Sequence, residues 1–304
     1  MPAAVLPLSR NRRPVLLIVG CGDIGLRVLH LMHPRWRVLA LTSSPARVPV
    51  LRAAGAVPLI GNLDDAATLG RLAALADAVL HLAPPPGVGG SDRRTASLLQ
   101  ALARSRRVQR IVYASTSGVY GDAGGARFDE TRAVNPDTDR ARRRVDAELR
   151  VRHHGRALGV RVSILRVPGI YALDREGGDP RERVRRGTPL LRPEDDIFSN
   201  HIHADDLARA CVAALFRGAP RRVYHVCDCS EMKMGDYFDA VADAFGLPRA
   251  TRISRTQAAQ SLSPVQMSFL GESRRLINRR LTDELRLRLR YPTPLVAFKP
   301  RPGA

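Results

Sequence analysis

Residues 20–25 read Gly20-Cys21-Gly22-Asp23-Ile24-Gly25. This Gly-x-Gly-x-x-Gly spacing follows an apolar run directly and opens an amphipathic segment. Each glycine has a physical task. Gly20 permits a tight turn, Gly22 lets the backbone approach a pyrophosphate, and Gly25 lets the following helix lie close to a sheet. The free N–H groups of that helix's first turn, at Asp23 and Ile24, would face the phosphates with the positive end of the helix dipole. Further on, Thr42-Ser43-Ser44 precedes Arg47, with no acid between Arg37 and Asp64. A site for NAD usually places Asp or Glu there, on the ribose hydroxyls. Hydroxyls and a guanidinium suit a 2′-phosphate better, so NADP is expected in preference to NAD. A third cluster, Ser115-Thr116-Ser117, ends another apolar run, three residues before Tyr120. Its hydroxyls could contact a substrate or simply satisfy a polar strand end. Arg140 and Arg144 are four apart and share a helix face. A guanidinium is a poor acid or base, but it anchors carboxylates and phosphates and stabilises a developing oxyanion. The same pair, beside Arg142 and Arg143, also reads as a solvated basic face.

These residues need elements to position them. Val15–Val19 is a continuous apolar run bounded by Pro14 and Gly20, and reads as a buried strand. A helix is expected over 23–32, a strand over 36–41, a helix over 45–54 and a strand over 57–60. Asp64 or Asp65 can cap a helix to Leu75. Strands follow over 78–82, 108–114 and 160–165, with helices over 91–104 and 137–153 between them. Such alternation implies βαβ units. The fold class is α/β, a Rossmann-like doubly wound parallel sheet with a small C-terminal substrate lobe. The expected division is a flexible tail over 1–14, an NAD(P)-binding core over 15–166, and a lobe over 167–304. Residues 172–196 read as a long irregular loop, 204–216 and 232–245 as helices, and 222–227 as a strand returning to the core sheet.

Composition sets bounds. The chain has 304 residues, 44% of them hydrophobic, with a net charge of +20. Lys233 and Lys299 are its only lysines, so nearly all of its 49 basic residues are arginine. The arginines are spread along the chain without a basic block, which argues against nucleic acid as the partner. An anionic small-molecule substrate accounts for part of the charge. No run of about 18 apolar residues occurs, so no membrane span is expected. Cys21, Cys211, Cys227 and Cys229 show neither Cys-x-x-Cys nor zinc-ligand spacing. No metal site is expected, and a reducing cytoplasm fits.

The strand end Ser115-Thr116-Ser117-Gly118-Val119-Tyr120-Gly121, after Arg110-Ile-Val-Tyr-Ala, resembles the extended short-chain dehydrogenase/reductases, the sugar-nucleotide epimerase and dehydratase family. The resemblance implies a nicotinamide cofactor. It places Thr116, four residues before Tyr120, against the substrate oxygen. It sets Asn62 and Leu63 beside adenine, Leu82 and Ala83 along the ribose and diphosphate, and Pro168 beside the nicotinamide. The chain departs from the family in two ways. Its glycines follow the general Rossmann spacing, and Arg140 and Arg144 stand where a Tyr-x-x-x-Lys pair should be. Arg144 could still supply the charge and ribose contact of that Lys. The usual acid is missing, which leaves Tyr120, water or the substrate itself as the proton source. Asp129-Glu130 and the His203-Ala-Asp205-Asp206 segment also resemble family features, the latter mainly architectural. These departures resemble a branch of atypical extended members. An NAD(P)-dependent oxidoreductase or epimerase/dehydratase-like enzyme, monomeric or homodimeric, is expected. A non-catalytic NADP(H)-binding sensor is the alternative.

Overall fold

The computed structural model describes residues 13–299, so the terminal tails expected from the sequence fall largely outside it. Seven parallel strands form the central sheet: β1 (Val15–Val19), β2 (Arg37–Thr42), β3 (Val57–Ile60), β4 (Ala78–His81), β5 (Arg110–Thr116), β6 (Arg161–Val167) and β7 (Arg222–His225). Their order is β7-β6-β5-β4-β1-β2-β3. The chain runs outward from β1 in one direction to β3, then crosses back to β4 and continues the other way. A crevice therefore opens between the carboxyl ends of β1 and β4, the place where α/β sheets bind ligands.

Four helices carry most of the flanking layers, α1 (Asp23–Met32), α2 (Arg93–Leu102), α3 (Asp139–Leu158) and α4 (Ala204–Arg217), while α5 (Met234–Ala244) packs in a separate C-terminal cluster. Strand alternation divides the core. Leu16 and Ile18 face α1 and α4 with Val28, Leu29 and Leu207. Val15, Leu17 and Val19 face the opposite layer, with Leu98 of α2 and Ala147 and Val151 of α3. A sheet buried on both faces explains the unbroken apolar runs.

Two expected helices differ from the sequence reading. Residues 66–74 form a 3-10 helix, capped where Asp65 accepts from Ala67 N–H at 3.1 Å. Leu69 and Leu72 lie three apart and both face the core, which suits the three-residue repeat of that helix. α3 runs to Leu158, past the expected end at 153. It continues through Gly155, where a Cβ would meet Val162 Cγ2 at 2.7 Å. It stops at Gly159, which is left-handed at φ +69°.

The core takes in more of the C-terminal half than expected. β7 pairs in parallel with β6, and α4, Leu281, Leu285 and Leu287 join the α1 side of the core. The remaining C-terminal segments build smaller clusters. Tyr171, Val184, Tyr237, Val241 and Phe298 form one of them. The 172–196 segment, expected to be irregular, contains a short helix, Pro180–Arg185, and Leu190–Leu191, which pairs with Arg252–Ile253.

Candidate functional site

The glycine turn adopts the geometry that its spacing requires. Gly20 sits at φ +84°, and a Cβ there would lie 2.5 Å from Ala83 N. A Cβ at Gly25 would press on Cys21 Sγ at 3.0 Å and Ile18 Cγ2 at 3.3 Å, so the bare glycine brings α1 down onto β1. Gly22 is the exception, with nothing within 4 Å of its absent Cβ. That open space belongs to a cleft of about 720 Å³ at the sheet's crevice, within the range of small-molecule sites. A pyrophosphate fits this arrangement, because Gly22 leaves room at the N-terminus of a ten-residue helix.

The cleft wall gathers most of the residues singled out from the sequence. Gly20, Gly22, Asp23, Ile24, Gly25, Thr42, Ser43, Arg47, Asn62, Leu63, Leu82, Ala83, Ser115, Thr116, Arg144 and Pro168 all line it. Arg47 Nη2 donates to Cys21 O at 2.9 Å, which holds the guanidinium beside the glycine turn. Burial pushes the Cys21 thiol up to about 11, partly offset by Arg47, and its Sγ packs closely on Gly25. At the other end Arg144 Nη1 donates to Ala114 O at 2.7 Å and to Tyr113 Oη at 3.0 Å.

Ser115 and Thr116 use their hydroxyls differently. Ser115 Oγ donates to Glu148 Oε1 at 2.6 Å, so its proton is committed. Thr116 Oγ1 accepts from Gly118 N–H at 3.2 Å, leaving its own hydroxyl proton available to a ligand oxygen. Behind Ser115 lies a chain of buried polar groups. Glu148 and Arg166 form a bidentate pair, with Nη2–Oε2 at 2.7 Å and Nε–Oε1 at 3.0 Å. Arg166 Nη1 donates to Tyr120 Oη at 2.6 Å. Tyr120 therefore donates to His225 Nε2, also at 2.6 Å, and His225 Nδ1–H to Ile277 O at 3.0 Å. Burial keeps His225 uncharged, lowering it to about 3.

Two of the expected site residues stand outside the cleft wall. Tyr120 is only 1% exposed and is absent from the cleft wall. Its phenol is pushed up to about 12, mainly by burial. The adjoining turn points it into the cluster with Val119, Phe128 and Leu276, so it is not placed to give a proton in the cleft. Arg140 also stands outside the wall. It is exposed, and its guanidinium lies 4.8 Å from the Phe269 ring centroid. Glu272 acts on it as an opposing charge, and Arg144 and Arg274 add like charge.

A family model described as NAD(P)H-binding matches residues 20–217. The chain belongs to that family. It is also 32% identical over 236 residues to dTDP-glucose 4,6-dehydratase of Mycolicibacterium smegmatis, covering 69% of this chain and 71% of the relative. Protein YeeZ of Escherichia coli strain K12 is 26% identical, over 92% of this chain and 97% of its own length. A solved structure of a functionally unknown conserved protein from Silicibacter pomeroyi DSS superposes with a TM-score of 0.79. The two are 29% identical, over 94% of this chain and 96% of that one. Within the NAD(P)H-binding family, the chain is an extended short-chain dehydrogenase/reductase of the epimerase/dehydratase kind, and a nicotinamide cofactor follows.

Sequence reading missed two cleft arginines. Arg94 binds Asp64 through Nε at 2.8 Å and Nη2 at 2.6 Å, bridging the start of α2 to the 61–64 turn. This pairing holds the Asp64 carboxyl below its ordinary range. Its signal was Asp92, a helix cap that sets Arg94 in the first turn. Arg175 comes from the 172–178 loop; being the one base in a glycine-rich stretch just after Tyr171 was its only mark.

Proposed function

We propose that the chain is a nicotinamide-dependent oxidoreductase or epimerase/dehydratase-like enzyme that prefers NADP and acts on an anionic substrate. The supporting observation is one continuous cleft that carries both the glycine turn and the Thr116–Arg144–Pro168 end. When bound, the cofactor supplies a hydride acceptor or donor at its nicotinamide. Gly22 and the first turn of α1 hold the pyrophosphate. Thr42, Ser43 and Arg47 hold the 2′-phosphate, and Asn62 and Leu63 flank the adenine. Arg144, fixed on Ala114 O, sits at the nicotinamide ribose. Thr116 donates its free hydroxyl proton to the substrate oxygen and orients the reacting carbon. Arg140, one helical turn from Arg144 on α3 and outside the cleft wall, binds the part of the anionic substrate that extends beyond the cleft. With Tyr120 enclosed, the exchanged proton passes to or from water or the substrate itself. Relatives named for dTDP-glucose and UDP-glucose make sugar nucleotides the first substrates to try.

The test is a titration with NADPH and NADH, followed by turnover of dTDP- and UDP-sugars. Tighter NADPH binding and a measurable turnover are expected. Replacing Thr116→Val together with Arg140→Ala should remove turnover while NADPH still binds; full activity in that double variant sinks the site assignment. One observation favours a second reading, a non-catalytic NADP(H) sensor. Among the described residues lining the Thr116 end, none is a tyrosine, histidine or carboxylate. A sensor binds NADPH and leaves it unconsumed across the whole substrate panel.

A further inference from the structure

One cleft residue arrives from far along the chain and has capacity to spare. Arg175 lies 152 positions from Asp23, yet its Nε donates to Asp23 Oδ2 at 3.0 Å, at the first turn of α1. Its side chain lines the cleft along with Gly20, Gly22 and Ile24. Only Nε is engaged. Among the described residues, its two terminal amines have no hydrogen-bond partner.

The 172–178 loop is built to hold Arg175 there. It closes on itself through Arg175 N–H to Ala172 O at 3.3 Å, Gly178 N–H to Arg175 O at 3.0 Å and Ala172 N–H to Gly178 O at 3.2 Å. Asp174 ties it to α1 through Arg27 Nη2 at 2.7 Å. Gly178 gives the side chain its path, since a Cβ there would run into Nη1, Cδ and Cγ of Arg175.

Arg27, one turn along α1, binds Asp23 Oδ1 at 3.0 Å, but its guanidinium is shared with Asp174 and Asp205. Three carboxylates therefore meet on one Arg27, and Arg175 offsets the one in the first turn of α1. Asp23 also sets a negative charge beside the helix end where a pyrophosphate would dock, so the anion needs a compensating cation close by. A guanidinium that holds Asp23 through Nε and leaves two unpartnered amines on a residue of the cleft wall meets that need, and its fork matches phosphate oxygens.

We propose that Arg175 is a pyrophosphate ligand of the bound dinucleotide, delivered by the 172–178 loop and preset by Asp23. The proposal rests on the nicotinamide-cofactor reading of the cleft. It is tested by calorimetric titration of the full chain with ADP-ribose, which carries the pyrophosphate, and adenosine 2′-monophosphate, which lacks it. Arg175→Ala should weaken ADP-ribose and NADP⁺ by roughly ten- to hundred-fold, as expected for a lost charge-assisted pair. Its affinity for adenosine 2′-monophosphate should stay within about two-fold. Gly178→Ala, which displaces the side chain without deleting it, should weaken ADP-ribose in the same direction. Unchanged ADP-ribose binding in Arg175→Ala overturns the proposal. So does equal loss of both ligands, which would make the Arg175–Asp23 pair merely structural. A wild-type protein that binds neither ligand removes the cofactor reading, and this proposal with it.

Discussion

At the scale of single residues, the cleft separates groups by what their protons and charges are already doing. Arg47 is the sharpest case, because one of its amines is held on Cys21 O on the same cleft wall as Thr42 and Ser43. Arg47→Ala should weaken NADP⁺ by roughly ten-fold or more and change NAD⁺ by less than about two-fold, measured by titration calorimetry. Equal weakening of both would mean that Arg47 acts by bracing the glycine turn. The glycines were readable from sequence because backbone geometry imposes their identity: no side chain tolerates the space and the φ of Gly20. Tyr120 was not readable in the same way. Its neighbours in sequence are loop residues of the site, but its partners are Arg166 and His225, brought in from other strands. Arg175 was hidden for the same reason.

Elements give these residues their aim. α3 is a polar helix that adds hydrogen bonds to its apolar packing on the sheet. Arg143 Nη1 reaches Gly89 O, in the loop before α2, at 2.6 Å, Arg144 reaches Ala114 O of β5, and Glu148 meets Arg166 of β6 with side chains only 4% and 5% exposed. Removing one partner strands a buried charge, so Glu148→Ala should cost about 3–5 kcal/mol in chemical denaturation. The double replacement Glu148→Leu with Arg166→Met should recover most of it. A double variant no more stable than Glu148→Ala would show that the pair is needed for shape and not for charge balance. The alternation of strands and helices was legible because its two-sided burial writes continuous apolar runs. The allegiance of α4 was not. Its sequence is that of any amphipathic helix, and only the Leu207 side packing on Ile18 and Leu29 shows that it belongs to the core.

Across the whole molecule, burial has fixed the protonation of several groups, and stability should follow pH accordingly. His81, His201 and His225 are each lowered to about 3 from an ordinary value of 6.5, mainly by burial. Below 6.5 the unfolded chain takes up protons that the fold refuses. Stability therefore falls as pH drops from about 6.5 toward 3, by up to ~1.4 kcal/mol per pH unit for each histidine. Asp228 works in the other sense. Burial raises it to about 7 from 3.8, so the fold keeps a proton that the unfolded carboxyl has lost. Its contribution is complete below about 4 and disappears as pH rises through 7. Asp228→Asn should therefore gain stability relative to wild type between pH 5 and 8, read from melts across that range; a constant difference would refute the assignment. The strand order carries a last consequence, for synthesis. β7 is made some fifty residues after β6, yet it covers the outer edge of β6. Until residues 222–225 leave the ribosome, Arg161–Val167 presents an unpaired, mostly apolar strand edge to other chains. The nascent protein passes through an adhesive stage that ends only when its cofactor core is already largely assembled.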